Sequence, residues 1–290
     1  MTFISYSQNF EDLMLWRALK HIKNGFYVDI GANDPKHLSV TKAFYDQGWH
    51  GINIDPITYS LLSRERLRDI NLNIAVSNAP GEINFFEVSD SALCTSDPQL
   101  AQTYREMGKV VIERKVPTLT LNQVLKEHSQ VPIHFMNIDV EGAELQVLQG
   151  LDLSLWRPWI LLIEATIPTT TTPSFDTWEP LIVSAEYNFA YFDGLNRFYV
   201  SKEHSELMDL FHLPPGIFDE FTLSREIDKQ DELVAKENVI QAQNKELLVR
   251  EQIIQKYQGS FYFWVTNGPL LIYIRPILNL IKGFFRRNPS

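Results

Sequence analysis

Short apolar runs recur along the first two thirds of this chain, several of them closing on an acid, and helical segments separate them. Residues 26–30, 51–55, 71–76, 134–139 and 159–164 are the apolar runs. Runs of this length suit strands buried on both faces of a parallel sheet. Residues 39–47, 57–68, 143–148 and 173–187 carry helical patterns between and after them. Strand and helix in alternation predict an α/β doubly wound fold. "GEINFFEV" and "KVVIERKVPTLTL" read as β excursions added after the third run, and "YNFAYFDGLNRFYV" reads as a closing hairpin. Asp193, Gly194, Leu195 and Asn196 supply the turn chemistry of that hairpin.

In an open α/β sheet the ligand binds beyond the carboxyl ends of the strands. The first run ends there in "VDIGANDPKH". Gly31 lets the backbone turn sharply, Asp29 and Asn33 flank it, and Asp55 ends the second run where an acid can accept from ribose hydroxyls. The second and third glycines of a pyrophosphate-binding loop are missing. Asp29 and Asp34 would repel a pyrophosphate, whereas an ammonium group welcomes a carboxylate. The charge of the turn therefore favours a phosphate-free sulfonium cofactor, S-adenosylmethionine, over NAD. The simpler alternative is a strand-to-helix turn in which Asp29 caps locally.

A second constellation follows in "NIDVEGAELQVLQGL". Asp139 closes the fourth run in the same crevice as Asp29 and Asp55, and Gly142 lets the turn pass close to a ligand. Glu141 and Glu144 stand at the next helix start, where the dipole favours acids. Glu164 ends the fifth run. Burying so many like charges on one sheet edge costs several kcal/mol without a function to offset it.

The remaining composition excludes several classes. A formal net charge of −10, with no Lys/Arg run in the first 220 residues, argues against nucleic acid as a partner. One cysteine builds neither a disulfide framework nor a cysteine metal site. The opening "MTFISYSQNFEDLMLW" has no basic and then apolar signal pattern, so no cleaved signal peptide and a cytoplasmic location are expected.

"YSQNFEDLMLWRAL", "YVDIGANDPKHLSVTKAFYDQGWHGINIDP", "NIDVEGAELQVLQGL", "WRPWILLIEAT" and "FDGLNRFYV", in that order, resemble the FkbM family of S-adenosylmethionine-dependent methyltransferases over most of residues 5–213. The resemblance implies a Rossmann-like class I methyltransferase fold, a mostly parallel sheet with a terminal antiparallel hairpin. It also implies O-methylation of a hydroxyl on a sugar, glycan or glycosylated metabolite. Carried onto this sequence, it sets the cofactor against Asp29, Gly31, Ala32 and Asn33, with Asp55 on the ribose and Ala75, Val76 and Ser77 by the adenine. Asp139 is expected near the methyl group or the acceptor hydroxyl. Ser7, Gln8, Glu11 and Asp12 match the family's N-terminal signature and either line the site or simply start a helix.

Family members often carry His where Asp34 stands, which leaves the base open among Asp34, His37, Asp139, Glu141 and Glu164. A sugar hydroxyl needs such a base late in the transfer. Asp139 with Glu164 could instead hold a divalent cation, although the spacing demands no metal, and His37 reads equally as a solvent-facing loop residue. Asp193, Asn196 and Arg197 are turn formers that could also reach the acceptor. Two rival functions remain: a non-catalytic binding or scaffold protein of glycan-synthesis machinery, and an NAD-linked oxidoreductase.

The expected domains are a catalytic region over residues 1–220, a charged long helix over 221–258 and an apolar, basic tail over 259–290. Leu233, Ile240, Leu247 and Ile254 recur every seven residues, but Lys236, Gln243 and Arg250 occupy the second seam, so any coiled coil or homo-oligomer is weak. The tail contains no acid; Pro269, Arg275 and Pro276 interrupt it, and Lys282, Arg286 and Arg287 add charge. It suits the inner membrane surface, a partner such as a glycosyltransferase, or packing on its own domain.

Overall fold

The computed structural model describes residues 3–89, 93–129, 132–268 and 271–287. They fall into two units, Met1–Arg225 and Glu226–Ser290. The first opens with β1 (Phe3–Ser5), α1 (Glu11–Leu19), β2 (Phe26–Ile30), α2 (Lys42–Asp46), β3 (His50–Ile54) and α3 (Tyr59–Glu65). The short strands β4 (Ile70–Leu72) and β5 (Ala75–Val76) precede β6 (Gly81–Val88), α4 (Pro98–Glu106) and β7 (Val111–Leu119). Then come α5 (Leu121–His128), β8 (Phe135–Ile138), α6 (Glu144–Gln149), β9 (Ile160–Glu164) and α7 (Glu179–Ser184). The hairpin β10 (Tyr187–Phe192) and β11 (Asn196–Ser201) and the strand β12 (Phe221–Leu223) close the unit.

A seven-stranded sheet in the order β10-β11-β9-β8-β2-β3-β4 forms its centre. β9, β8, β2, β3 and β4 are parallel, and β11 and β10 add the antiparallel hairpin at one edge. Alternation along each strand explains the continuous apolar runs. Val28, Ile30, Ile52, Met136 and Leu161 pack on one face with α5 and α6. Tyr27, Phe135, Leu162 and Phe198 pack on the other with Met14 and Leu15 of α1. The chain is thus an α/β protein buried on both faces of its main sheet.

Residues 71–76 do not form one strand. β4 ends the main sheet, whereas β5 joins a second sheet in the order β5-β7-β6. An apolar run of six cannot be told by pattern from two short strands in different sheets. The helices after β2 and β3 are also shorter than their sequence patterns. The Thr41 hydroxyl turns back to Asp29, which holds 39–41 out of α2. Asp55 collects the N–H groups of Ile57 and Thr58, so α3 starts only at Tyr59. The segment 173–187 likewise yields only α7 after a 3-10 turn at Phe175–Thr177.

α8 (Ser224–Asn267), nearly all of it in the second unit, is a single helix of 44 residues that passes well beyond residue 258. α9 (Leu271–Arg287) continues through Pro276 rather than breaking at it. Pro269 and the side chains of Lys282, Arg286 and Arg287 lie outside the described residues. Among the described residues no helix is long and apolar enough to cross a membrane.

Candidate active site

The turns after β2, β3 and β8 meet at the carboxyl ends of the parallel strands. Gly31 holds φ at 82°, and a Cβ there would lie 1.7 Å from the Asp139 carbonyl oxygen. That contact is possible only for glycine. The Gly31 N–H donates to Ile54 O at 2.9 Å and the Asp139 N–H to Ile30 O at 3.0 Å, which locks the three strand ends together. Asn33, left-handed at φ 47°, donates its N–H to Asp55 Oδ2 at 3.1 Å. Asp55 Oδ1 accepts from Ile57 N–H at 2.8 Å and Thr58 N–H at 2.7 Å.

A cavity of about 320 Å³ opens over these turns. Asp29, Gly31, Ala32 and Asn33 form its floor, and Asp55, Ala75 and Val76 line it beside Ile57 and Ile74. Asp139 and Glu141 bound it at the end of β8, and Gln8 reaches it from the N-terminal segment. Alternation along β6 brings Ile83, Phe85 and Glu87 onto the same wall. Among the described residues no Lys or Arg lines it.

The acids divide into two groups. Asp29 is held by a network: Asn137 Nδ2 donates to its Oδ1 at 2.9 Å and the Thr41 hydroxyl to its Oδ2 at 3.0 Å. Thr41 in turn accepts from Arg66, whose Nε lies 3.3 Å from Asp69. Burial pushes the Asp29 carboxyl up, and these donors and the Arg66 charge pull it back. Among the described residues no such cation acts on Asp139, Glu141 or Glu164. Burial, then repulsion by neighbouring acids, pushes Asp139 up to about 7, Glu141 to about 9 and Glu164 to about 11. Glu164 shares a hydrogen bond with Asp139, and burial with the neighbouring acids favours its protonated form. Among the described residues no hydrogen-bond donor reaches the buried oxygens Glu141 Oε2 and Glu164 Oε2. The arrangement gives Asp139 a proton affinity near neutrality, which suits a general base.

The sequence model of the methyltransferase FkbM domain matches residues 29–191. The chain belongs to the FkbM methyltransferase family. No curated protein matches it. The match begins at Asp29 near the end of β2 and ends within β10, so it takes in β3, β4, β8 and β9 of the main sheet. In this FkbM protein the other expected site residues lie around the cavity rather than on it. Asp34 Oδ1 accepts from the N–H groups of Lys36 and His37 and so shapes its own turn, while His37 is exposed. The Ser77 carbonyl faces Gly150, where a Cβ would approach it to 2.4 Å. Glu164 reaches the site through Asp139. Glu144 binds the N–H groups of Val140 and Gly142 and organises its own helix start. Among the described residues no group of three or more His, Cys, Asp or Glu is arranged to hold a metal ion.

The N-terminal signature works through the closing hairpin. Asp12 is fully buried and accepts from Ser5 Oγ at 2.8 Å, Tyr6 N–H at 2.6 Å and Ser7 Oγ at 2.7 Å. Glu11 accepts from Asn9 N–H at 2.7 Å and from Asn196 Nδ2 at 2.9 Å. Asn9 Nδ2 donates to the Asp193 carbonyl at 2.8 Å. "QNFED" and "FDGLN" are therefore bonded to each other, and between them they hold Gln8 at the cavity. Arg197 stays outside, ion-paired to Glu179 at 2.7 Å and stacked on Phe175 and Phe189.

Sequence reasoning missed Asn137, which fixes Asp29 from the neighbouring strand, and the β6 wall. The signal for the wall was present: the alternate residues Ile83, Phe85 and Glu87 of "GEINFFEV" share one face.

Proposed function

We propose that this FkbM protein is an S-adenosylmethionine-dependent O-methyltransferase acting on a hydroxyl of a sugar, glycan or glycosylated metabolite. The main sheet, parallel with a closing antiparallel hairpin, supports a Rossmann-like class I methyltransferase fold. The observation that carries the cofactor is the cavity at the strand ends, lined by Asp29, Asp55, Asp139 and Glu141 and, among the described residues, by no Lys or Arg. Its volume of about 320 Å³ falls within the range of small-molecule sites, and its lining suits a ligand with cationic groups and no phosphate. Asn33 and Asp55 would meet the ribose, Ile57, Ala75 and Val76 the adenine, and Asp29 and Gly31 the amino-acid end. When bound, S-adenosylmethionine supplies a methyl group on a positively charged sulfur.

The chain's own residues must align the acceptor and take its proton. Asp139 stands at the cavity edge, and its carboxylate would receive that proton as the new O–C bond forms. Glu164, protonated, fixes the Asp139 carboxylate by its hydrogen bond and keeps a second negative charge out of the site. Calorimetry tests the cofactor. Binding of S-adenosylmethionine and S-adenosylhomocysteine, with none of NAD, is expected; no binding of either would overturn the reading. Mass spectrometry of the host's glycans with and without the protein tests the reaction, through a loss of one methyl per acceptor on deletion.

A further inference from the structure

The sequence of α9 runs in two rows. Tyr273, Ile277 and Leu280 recur at helical spacing, and Phe284 continues that row in sequence. Two residues further on, Arg275 and Asn279 repeat the spacing, and Lys282 and Arg286 continue it. A step of two residues turns an α-helix by about 200°, so the apolar row and the basic row lie on opposite sides. Ile274 and Ile281 widen the apolar side. Tyr273, Ile277 and Leu280 are exposed, so α8 does not cover them. Pro276 has no N–H to give the Ile272 carbonyl, and Ile272 stands three residues before Arg275, on the basic side. On a helix lying at a water interface that carbonyl faces water, whereas inside hydrocarbon it would stay unpaired.

Charge separates along the chain as sharply as it does around α9. All 36 Asp and Glu lie within residues 1–251, whereas Lys256, Arg275, Lys282, Arg286 and Arg287 follow with no acid among them. A solvated helix face ordinarily mixes the two signs, as α8 does in its Lys236–Glu232 and Arg250–Glu246 pairs. A face of one sign fits a surface of the other, and Arg275 to Arg286 covers about 16 Å of it. The acidic remainder of the chain is repelled by such a surface, so this segment is the part that can hold it there. An aliphatic and aromatic side opposite a basic one is the pattern of a helix lying in the headgroup plane. We propose that α9 docks the protein on an anionic lipid bilayer, its apolar row sunk among the acyl chains and its basic row at the phosphate headgroups.

Flotation of the full chain with lipid vesicles tests this. The wild type is expected to bind vesicles of equal parts phosphatidylglycerol and phosphatidylcholine, and to bind phosphatidylcholine alone far more weakly. Raising the salt to about 1 M should weaken the first and leave the second as it is. Arg275→Gln with Lys282→Gln keeps good helix formers and should weaken binding to the anionic vesicles about 25-fold, about fivefold for each charge lost. Lys236→Gln with Lys245→Gln makes the same charge change on α8 and should leave binding unaltered. Ile277→Asp with Leu280→Asp should abolish it. The proposal is overturned if the wild type leaves the anionic vesicles unbound, which would make a protein groove the cover of α9. It is also overturned if the two charge variants weaken binding alike, since net charge alone would then account for it, or if both kinds of vesicle are bound equally. None of these results bears on the methyltransferase reading, which calorimetry decides separately.

Discussion

Gly31 and Asp139 touch where no side chain fits: a Cβ at residue 31 would lie 1.7 Å from the Asp139 carbonyl oxygen. The contact joins the end of β2 to the end of β8, so the cavity floor and the candidate base move together. Two penalties await Gly31→Ala. The left-handed backbone costs about 1–2 kcal/mol, and relieving the clash forces apart two strand ends in the core. A loss of about 3 kcal/mol is expected in urea unfolding. Affinity for S-adenosylmethionine should also fall by more than about tenfold, since every 1.4 kcal/mol of displaced floor costs that much.

Burial, then Glu144, push the Asp139 carboxyl at the cavity edge up to about 7. Below that value it holds a proton and cannot act as a base. The methyl-transfer rate is therefore expected to rise as pH increases through about 7 and then level. Asp139→Asn should lower the rate by about 10²–10⁴-fold and abolish the rise. Cofactor affinity should be largely kept, because Asn preserves the backbone carbonyl that meets Gly31. Transfer of labelled methyl to the host's acceptor fraction between pH 5.5 and 8.5 measures both effects.

The sheet was legible in the sequence because its strands are buried on both faces, which writes them as unbroken apolar runs ending in acids. Asp29, Gly31, Asn33, Asp55 and Asp139 could be read for the same reason: each ends or follows a run. What pattern could not supply was pairing between distant segments. Nothing local in "AVSN" says that β5 leaves the main sheet to pair with β7. Nor does an acid after a conspicuous glycine announce that Asp34 Oδ1 closes its own turn on the N–H groups of Lys36 and His37.

Glu11 joins the N-terminal segment to the closing hairpin through Asn9 and Asn196. Burial, then the nearby Asp193, push its carboxyl up to about 7. Glu11→Ala would take one of its two acceptors from the Asn196 amide, which keeps Asp193, and would leave the part-buried Asn9 N–H without its acceptor. Each unsatisfied group costs about 1–3 kcal/mol, so a clear drop in the thermal midpoint is expected. Gln8 would also lose its anchor. Weaker ligand binding at a temperature where the variant remains folded would separate that effect from simple destabilisation.

Stability should itself depend on pH in a direction set by the buried acids. Glu11, Asp139, Glu141 and Glu164 are all raised, first by burial. The unfolded chain releases these protons near the ordinary carboxyl values, while the folded chain holds them to about 7, 7, 9 and 11. Over that window the native state binds more protons, so stability falls as pH rises, by about 1.4 kcal/mol per pH unit for each proton. The lowered groups Asp152, Glu203 and Asp219 act only at acid pH, and His134 opposes the trend only below its ordinary 6.5. The fall is therefore cleanest above pH 7. Glu141→Gln cannot ionise and should match the wild type near pH 5. Its advantage in urea midpoint should then grow up to about pH 9, where Glu141 gives up its proton and the difference levels. Parallel profiles for the two proteins would mean that Glu141 is already ionised in the folded state, and the cluster would then need a cation to hold it.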